Sequence, residues 1–152
     1  MQTRRQILVE GAAVAGLAAT AGLLPQTAMA FDEDLFQAEG IEATLKALGV
    51  SGDMEESSDV TLKGPDIAEN GAVVPFTLST KLSNVKQLAL LIENNPFTLS
   101  ALFSVLPTVE PEFATRSKMQ ETSNVYAVAI TDDGKALYDM KEVKVTLGGC
   151  GG

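Results

Sequence analysis

The strongest pattern in the chain is an alternation of apolar residues between positions 124 and 131. Side chains of an extended strand point alternately to its two faces, so this run divides into two sets. These are Val125, Ala127 and Ala129 on one face, and Tyr126, Val128 and Ile130 on the other. Residues 85–92 show the same division, with Leu88, Leu90 and Ile92 on one face and Leu91 on the other. Both segments are therefore predicted to be strands.

Five weaker patterns predict further strands, over residues 60–62, 74–79, 98–106, 113–119 and 137–147. Turn-forming residues separate them, including Asn70-Gly71 and Asp132-Asp133-Gly134, and the second of these is typical of a tight hairpin. Pro75 lacks a backbone N–H, so its strand is expected at a sheet edge or at a bulge. Seven short strands favour an all-β fold, an immunoglobulin-like antiparallel β-sandwich.

A helical pattern precedes the strands. Between Phe31 and Leu48 apolar residues recur at spacings of three and four, which places them on one face of an α-helix: Leu35, Ala38, Ile41, Leu45 and Leu48. Gly49 is expected to end this helix, and the acidic stretch 51–58 is expected to form a loop. The sequence thus predicts one domain over residues 31–147, an N-terminal α-helix followed by the sandwich.

The first 30 residues are predicted to form an export signal. Arg4 and Arg5 precede an apolar run over residues 14–24, and Ala28-Met29-Ala30 has the small residues of a signal-peptidase site. The arginine pair is typical of twin-arginine signals, so we expect cleavage after Ala30 and a periplasmic location. A membrane anchor is the alternative, but the apolar run is short and rich in glycine. No membrane attachment is expected after cleavage.

Composition narrows the range of functions. The chain has no histidine, so it lacks the Ser-His and Cys-His pairs of many hydrolases and the commonest zinc ligand. With 11 basic and 20 acidic residues the chain is strongly acidic, which opposes binding to nucleic acid or to anionic membranes. Because the acidic residues are scattered, no metal site is predicted. Since the histidine-based catalytic pairs are missing as well, the chain is not expected to be an enzyme.

The chemistry concentrates in Gly148-Gly149-Cys150-Gly151-Gly152, which contains the one cysteine of the chain. Glycine gives a backbone wide conformational freedom, so residues 148–152 are predicted to form a flexible arm. The neighbouring sequence offers no base or cation that would activate a catalytic thiol. Cys150 is therefore predicted to be an attachment point on which other proteins act. The alternatives are a frayed end without a function and a disulfide between two copies of the chain.

The same residues resemble a known family. Residues 144–152, Lys-Val-Thr-Leu-Gly-Gly-Cys-Gly-Gly, are similar to the C-terminus of SoxY proteins, the sulfur-carrier subunits of the bacterial thiosulfate-oxidising (Sox) system. The arginine pair, the helix before the sandwich and the acidic character also resemble that family. So does segment 85–97, an apolar strand followed by an Asn-Asn-Pro-Phe turn. The resemblance covers nearly all of the chain after residue 30.

The resemblance implies a covalent carrier. Cys150 would hold sulfur derived from thiosulfate, first as an S-thiosulfonate, and the arm would owe its reach to Gly148, Gly149, Gly151 and Gly152. A haem cytochrome would load thiosulfate, a dimanganese hydrolase would release sulfate, and a sulfur dehydrogenase would process what remains. A SoxZ-like β-sandwich subunit would form a heterodimer with the chain and leave the cytoplasm with it. The chain would need no cofactor besides the sulfur adduct.

Two other functions stay open on the residues alone. A ubiquitin-like sulfur carrier also ends in Gly-Gly, but it carries sulfur as a C-terminal thiocarboxylate and acts in the cytoplasm, which the export signal opposes. A structural β-sandwich subunit cross-linked through Cys150 is the second. Replacing Cys150 would separate the first from a thiol carrier, and the mass of the exported protein would separate the second.

Overall fold

The fold is given by a computed structural model that describes residues 33–148. Several predicted features lie outside the described residues. They are the export signal with Arg4, Arg5 and the cleavage site Ala30, and in the arm Gly149, Cys150, Gly151 and Gly152.

The N-terminal segment forms two short helices where one was predicted. A 3-10 helix spans Glu33–Gln37, and α1 spans Ile41–Ala47. Gly40 separates them at φ 83° and ψ 157°, a backbone conformation that side-chain-bearing residues rarely adopt. The buried Thr98 hydroxyl accepts the Gly40 N–H at 2.9 Å and holds this bend against the sheet. The predicted end is confirmed, since Gly49 adopts φ 74° just after α1.

Nine strands follow within residues 33–148, in place of the seven predicted. They are β1 Met54–Glu56, β2 Val60–Lys63, β3 Ile67–Ala68, β4 Val74–Thr80, β5 Val85–Ile92, β6 Leu99–Ser104, β7 Glu112–Ser117, β8 Ser123–Thr131 and β9 Ala136–Val145. All seven predicted strands are present. The stretch 51–58, expected to be a loop, contains β1, and β3 was not expected at all.

The strands form two sheets. The larger has the order β1-β9-β8-β5-β6, with β3 also paired to β9, and the smaller has the order β2-β4-β7. The predicted antiparallel arrangement holds for the seven expected strands, but β1 and β3 both run parallel to β9. Met54 lies opposite Ala136, and Ile67 lies opposite Lys144. These two short strands therefore cover the two ends of an edge that β9 would otherwise expose.

Two apolar clusters explain why β5 and β8 are apolar on both faces. The cluster between the sheets contains Leu88, Leu90, Ile92, Val125, Ala127 and Ala129. The cluster on the other face of the larger sheet contains Leu91, Tyr126, Val128 and Ile130, which pack against Leu45 and Leu48 from the helical segment. The division of both strands into two faces is confirmed. Leu88, Leu90 and Leu91 are fully buried.

The position of Pro75 differs from the prediction. Its strand, β4, lies in the centre of the smaller sheet. The Lys81 N–H donates to the Asp59 carbonyl, which lies on the β2 side. Backbone N–H groups alternate between the two neighbours of a strand, so those at odd-numbered positions of β4 point toward β2. The last residue pair between β2 and β4 is Lys63 with Thr77, so β2 does not extend as far as Pro75. Proline is tolerated because β2 has already ended where its missing N–H would need a partner.

Candidate functional site at the base of the tail

The last described residues continue β9 toward Cys150, and we call residues 145–148 the tail base. One side of the tail base is bonded to the end of β3 and to the segment that follows it. The Thr146 N–H donates to the Ala68 carbonyl at 3.1 Å, and the Thr146 hydroxyl donates to the Glu69 carbonyl at 2.9 Å. The Gly71 N–H donates to the Leu147 carbonyl at 2.7 Å. Three hydrogen bonds therefore fix the chain up to Leu147.

The other side of the tail base lies against the loop before β8. The Val145 N–H donates to the Thr122 hydroxyl at 3.0 Å. Gly148 approaches the main chain of Gln120 so closely that a Cβ atom at position 148 would collide with the Gln120 carbonyl oxygen. Glycine at 148 was predicted to give the arm freedom. The structure adds a second reason, which is that no larger residue fits beside Gln120.

The loop that carries Gln120 is held in place by the turn after β5. The Asn95 side-chain oxygen accepts the Gln120 N–H at 3.1 Å, and its amide nitrogen donates to the Lys118 carbonyl at 2.7 Å. Asn94 makes a similar bond, from its amide nitrogen to the Thr122 carbonyl at 2.8 Å. The two asparagines thus brace the loop against which Gly148 rests, a role that their prediction as strand-breaking residues did not reveal.

The two supporting segments are also joined to each other. The Met119 N–H donates to the Gly71 carbonyl at 2.7 Å, and Met119 is fully buried. Because residues 68–71 and 118–122 are linked in this way, the tail base lies in a continuous bracket of backbone and amide groups. Such a bracket has no signature in composition, since its bonding groups are mostly main-chain atoms.

An ion pair lies beside the strand that leads to the tail. Lys141 on β9 approaches the Asp66 carboxylate at 2.8 Å and also donates to the Gly64 carbonyl at 2.8 Å. The hydrogen bond and the charge of Lys141 hold the pKa of the Asp66 carboxyl below its ordinary value. The Lys144 N–H donates to the Asp66 carbonyl at 3.0 Å. Since Asp66 is well exposed, the pair orients segment 64–66 and adds little to stability.

The sulfur atom of the predicted site belongs to Cys150, which follows the tail base in the sequence. Cys150 follows Gly148 by two residues, so its Cα lies within about 7 Å of the Gly148 Cα in any conformation.

Among residues 33–148 no group of three or more acidic side chains is placed to hold a metal ion. In the same range no helix has the length and apolar character needed to span a membrane.

The matched family includes the tail. The sequence fits the family described as sulfur oxidation protein SoxY over residues 45–150, a range that includes the whole tail base and Cys150. The chain belongs to the SoxY family. The resemblance noted from the tail is thereby confirmed. A search among curated proteins found no match.

Solved structures agree with this SoxY assignment. The sulfur carrier protein SoxY from Chlorobium limicola f thiosulfatophilum is 34% identical with a TM-score of 0.63, and the similarity covers 70% of this chain and 96% of that one. Two structures of superoxide reductase (neelaredoxin) from Ignicoccus hospitalis are 18% and 20% identical with TM-scores of 0.50. They cover 57% and 77% of this chain, and 78% and 99% of theirs. At that identity the likeness concerns the fold alone.

Membership of the SoxY family fixes the class of protein. The chain is a sulfur oxidation carrier protein and not an enzyme. The fold is correspondingly mostly β, with sandwich-like sheets that match the SoxY structure.

Proposed function

We propose that this SoxY protein carries sulfur covalently on Cys150 during thiosulfate oxidation in the periplasm. The observation that supports this most directly is the extent of the family match, which runs through the tail base to Cys150. The geometry of the tail base is consistent with it, because the chain is bonded on both sides up to Leu147, three residues before the thiol.

Loading requires an oxidation that the chain does not perform itself. The Cys150 thiol and thiosulfate join through a new S–S bond to form the S-thiosulfonate, and one proton and two electrons leave. The partner cytochrome would take up the two electrons one at a time, because a haem iron accepts a single electron. A free cysteine has a pKa of about 8.5, so a few per cent of it is thiolate at neutral pH. Any further activation comes from the enzyme that receives the tail.

Release of sulfate is a hydrolysis. Water attacks the outer sulfur of the S-thiosulfonate, sulfate and two protons leave, and Cys150 keeps a persulfide. The dimanganese hydrolase supplies this step, and a sulfur dehydrogenase oxidises the remaining sulfur. Each enzyme must admit the tail into a narrow site, which the glycines at 149, 151 and 152 allow because they add no side chains.

The remaining parts of the proposal concern location and assembly. The twin-arginine signal at Arg4 and Arg5 sends the folded protein to the periplasm. A SoxZ-like β-sandwich subunit pairs with it as a heterodimer and leaves by the same signal. The acidic surface keeps the pair soluble and away from nucleic acid.

The test is intact-mass spectrometry after incubation with thiosulfate and the cytochrome. We expect the wild-type heterodimer to gain one thiosulfonate group on the C-terminal peptide and Cys150→Ser to gain none. Far-UV circular dichroism of both proteins controls for folding. Loading that persists in Cys150→Ser would indicate that the sulfur is attached to a terminal carboxylate, as in ubiquitin-like carriers. Disulfide-linked dimers without any adduct would instead support a structural subunit.

A further inference from the structure

The turn beside the tail base contains a chemically labile pair, Asn70-Gly71. Asn70 is exposed and Gly71 is buried. Asparagine is most labile before glycine, because glycine has no side chain to obstruct attack by its own backbone nitrogen. We propose that Asn70 is a deamidation site that the bonded tail base protects, so that its conversion marks chains whose tail base has come free. This inference goes beyond the carrier function and does not depend on it.

The reaction needs no reagent besides water. The Gly71 backbone nitrogen loses its proton and attacks the side-chain carbonyl carbon of Asn70. A C–N bond forms, the bond to the side-chain nitrogen breaks, and that nitrogen leaves with the proton as ammonia. Water then opens the five-membered imide at one of its two carbonyl carbons. Position 70 becomes aspartate or isoaspartate, and either product adds one negative charge at neutral pH.

The attacking nitrogen is occupied in the folded chain. The Gly71 N–H donates to the Leu147 carbonyl at 2.7 Å, and the Gly71 carbonyl accepts the Met119 N–H at 2.7 Å. Met119 is fully buried, so Gly71 is held on one side by the tail base and on the other by the core. The nitrogen can therefore lose its proton and turn toward Asn70 only after the bond to Leu147 opens.

The residues around the nitrogen are bonded as well. The Asn70 side-chain oxygen accepts the Ala72 N–H at 2.8 Å, a contact that asparagine often makes in turns. Just before Asn70, the Glu69 carbonyl accepts the Thr146 hydroxyl at 2.9 Å. The tail base thus contacts the chain on both sides of the labile side chain, and its release is the step that frees the pair to react.

A second measurable rate depends on the same opening. Exchange of the Gly71 N–H with deuterium also requires release from the Leu147 carbonyl. The factor by which the fold slows deamidation, relative to a free peptide of residues 64–81, should therefore equal the factor by which it slows this exchange. Asn70 is the one asparagine in that peptide, which trypsin also releases from the protein by cutting after Lys63 and Lys81.

The experiment compares the full chain with two glycine variants. Gly148→Ala places a methyl group against the Gln120 carbonyl oxygen, so the tail base or the loop of residues 118–122 must move. Either movement disturbs Gly71, because it bonds to both segments. The matched control is Gly134→Ala, which strains the backbone at φ 82° in the turn between β8 and β9. That turn lies at the other end of β9 from the tail base.

The chains are incubated at mildly alkaline pH, and the conversion of Asn70 is followed by mass spectrometry of tryptic peptide 64–81. Exchange at Gly71 is followed by NMR. We expect Gly148→Ala to deamidate about tenfold faster than wild type, which corresponds to a closed state less stable by about 1.4 kcal/mol. Exchange at Gly71 should rise by the same factor. Gly134→Ala should deamidate at the wild-type rate.

A milder variant keeps the test independent of folding in Gly148→Ala. Thr146→Val removes one exposed hydroxyl, and with it the hydrogen bond to the Glu69 carbonyl. Loss of one hydrogen bond should speed deamidation about two- to twelvefold. Circular dichroism checks that each variant is folded.

The inference fails if folded wild-type chain deamidates as fast as the free peptide, since the tail base would then give no protection. Equal acceleration in Gly148→Ala and Gly134→Ala would overturn it as well, because global unfolding would be the opening step. So would faster exchange at Gly71 without faster deamidation. None of these results concerns Cys150, so they are separate from any failure of the proposed carrier function.

Discussion

Gly148→Ala should destabilise the fold, although it adds only one methyl group near the end of the described chain. The methyl would collide with the Gln120 carbonyl oxygen, so either the tail base or the Gln120 loop must move. Movement of the tail base strains the bond from the Gly71 N–H to the Leu147 carbonyl, now 2.7 Å. Movement of the loop strains the bond from the Gln120 N–H to Asn95, now 3.1 Å.

The loss of stability in Gly148→Ala can be estimated from these two possible movements. A lost hydrogen bond costs about 0.5–1.5 kcal/mol, and an overpacked site costs about 1–3 kcal/mol. We therefore expect the free energy of unfolding to fall by about 1–3 kcal/mol. For a domain of this size that corresponds to a decrease in Tm of about 3–12 °C.

A double-mutant cycle with Asn95→Ala tests the cause. Asn95→Ala frees the Gln120 loop, so the methyl at position 148 should cost less in that background, with a coupling of at least about 0.5 kcal/mol. Urea unfolding of the four proteins, followed by circular dichroism, gives the free energies. An unchanged stability of Gly148→Ala, or strictly additive effects of the two substitutions, would refute the proposed contact.

Three further predictions concern the scaffold. Leu90→Ala should lower the free energy of unfolding by about 2–5 kcal/mol in urea titrations, because Leu90 is fully buried between the sheets. Gly40→Ala should cost about 1–3 kcal/mol from backbone strain alone, since no atom crowds that site; an unchanged urea midpoint would contradict this. Burial and the nearby Glu93 carboxylate raise the pKa of Tyr126. In Tyr138→Phe, which leaves Tyr126 as the one tyrosine, tyrosinate absorbance should therefore rise only above about pH 10. The fold favours the neutral phenol, so stability from this group falls as pH rises past that value.

The main strands were predictable because their side chains record which face is buried. In β5 and β8 the apolar residues at even-numbered and odd-numbered positions point to opposite faces, and each set packs in one of the two clusters. Strand β1 left no such record, since Met54, Glu55 and Glu56 are all at least partly exposed. It is defined by backbone pairing with β9, which any residue can make. Strand β3 has only two residues, too few to show a period.

Two other differences arise from the backbone as well. One predicted helix became two because Gly40 adopts a conformation in which its N–H reaches Thr98, a partner 58 positions away. Pro75 could be assigned to an edge only by assuming that neighbouring strands have equal lengths, whereas β2 ends before Pro75 is reached.

The candidate site shows the same limit. The sequence predicted Cys150 and its glycines from residue chemistry, but it gave Gly148 the same role as the others. The contact that distinguishes Gly148 is with a main-chain carbonyl, which position 120 would supply with almost any side chain. The side chains that take part in the bracket belong to Asn94, Asn95, Thr122 and Thr146. From the sequence, a turn after a strand was sufficient to explain the two asparagines.

The bracket matters for a carrier because it shortens the tether. If β9 alone fixed the chain, Cys150 would stand five residues beyond the last anchored residue, Val145; with Leu147 bonded to Gly71 it stands three residues beyond the last anchored one. The effective concentration of a tethered group falls roughly as the −3/2 power of tether length, so the shorter tether raises the local thiol concentration at a docked enzyme about twofold. Gly148→Ala should accordingly weaken loading by the cytochrome while leaving the reaction of Cys150 with a small disulfide reagent unchanged.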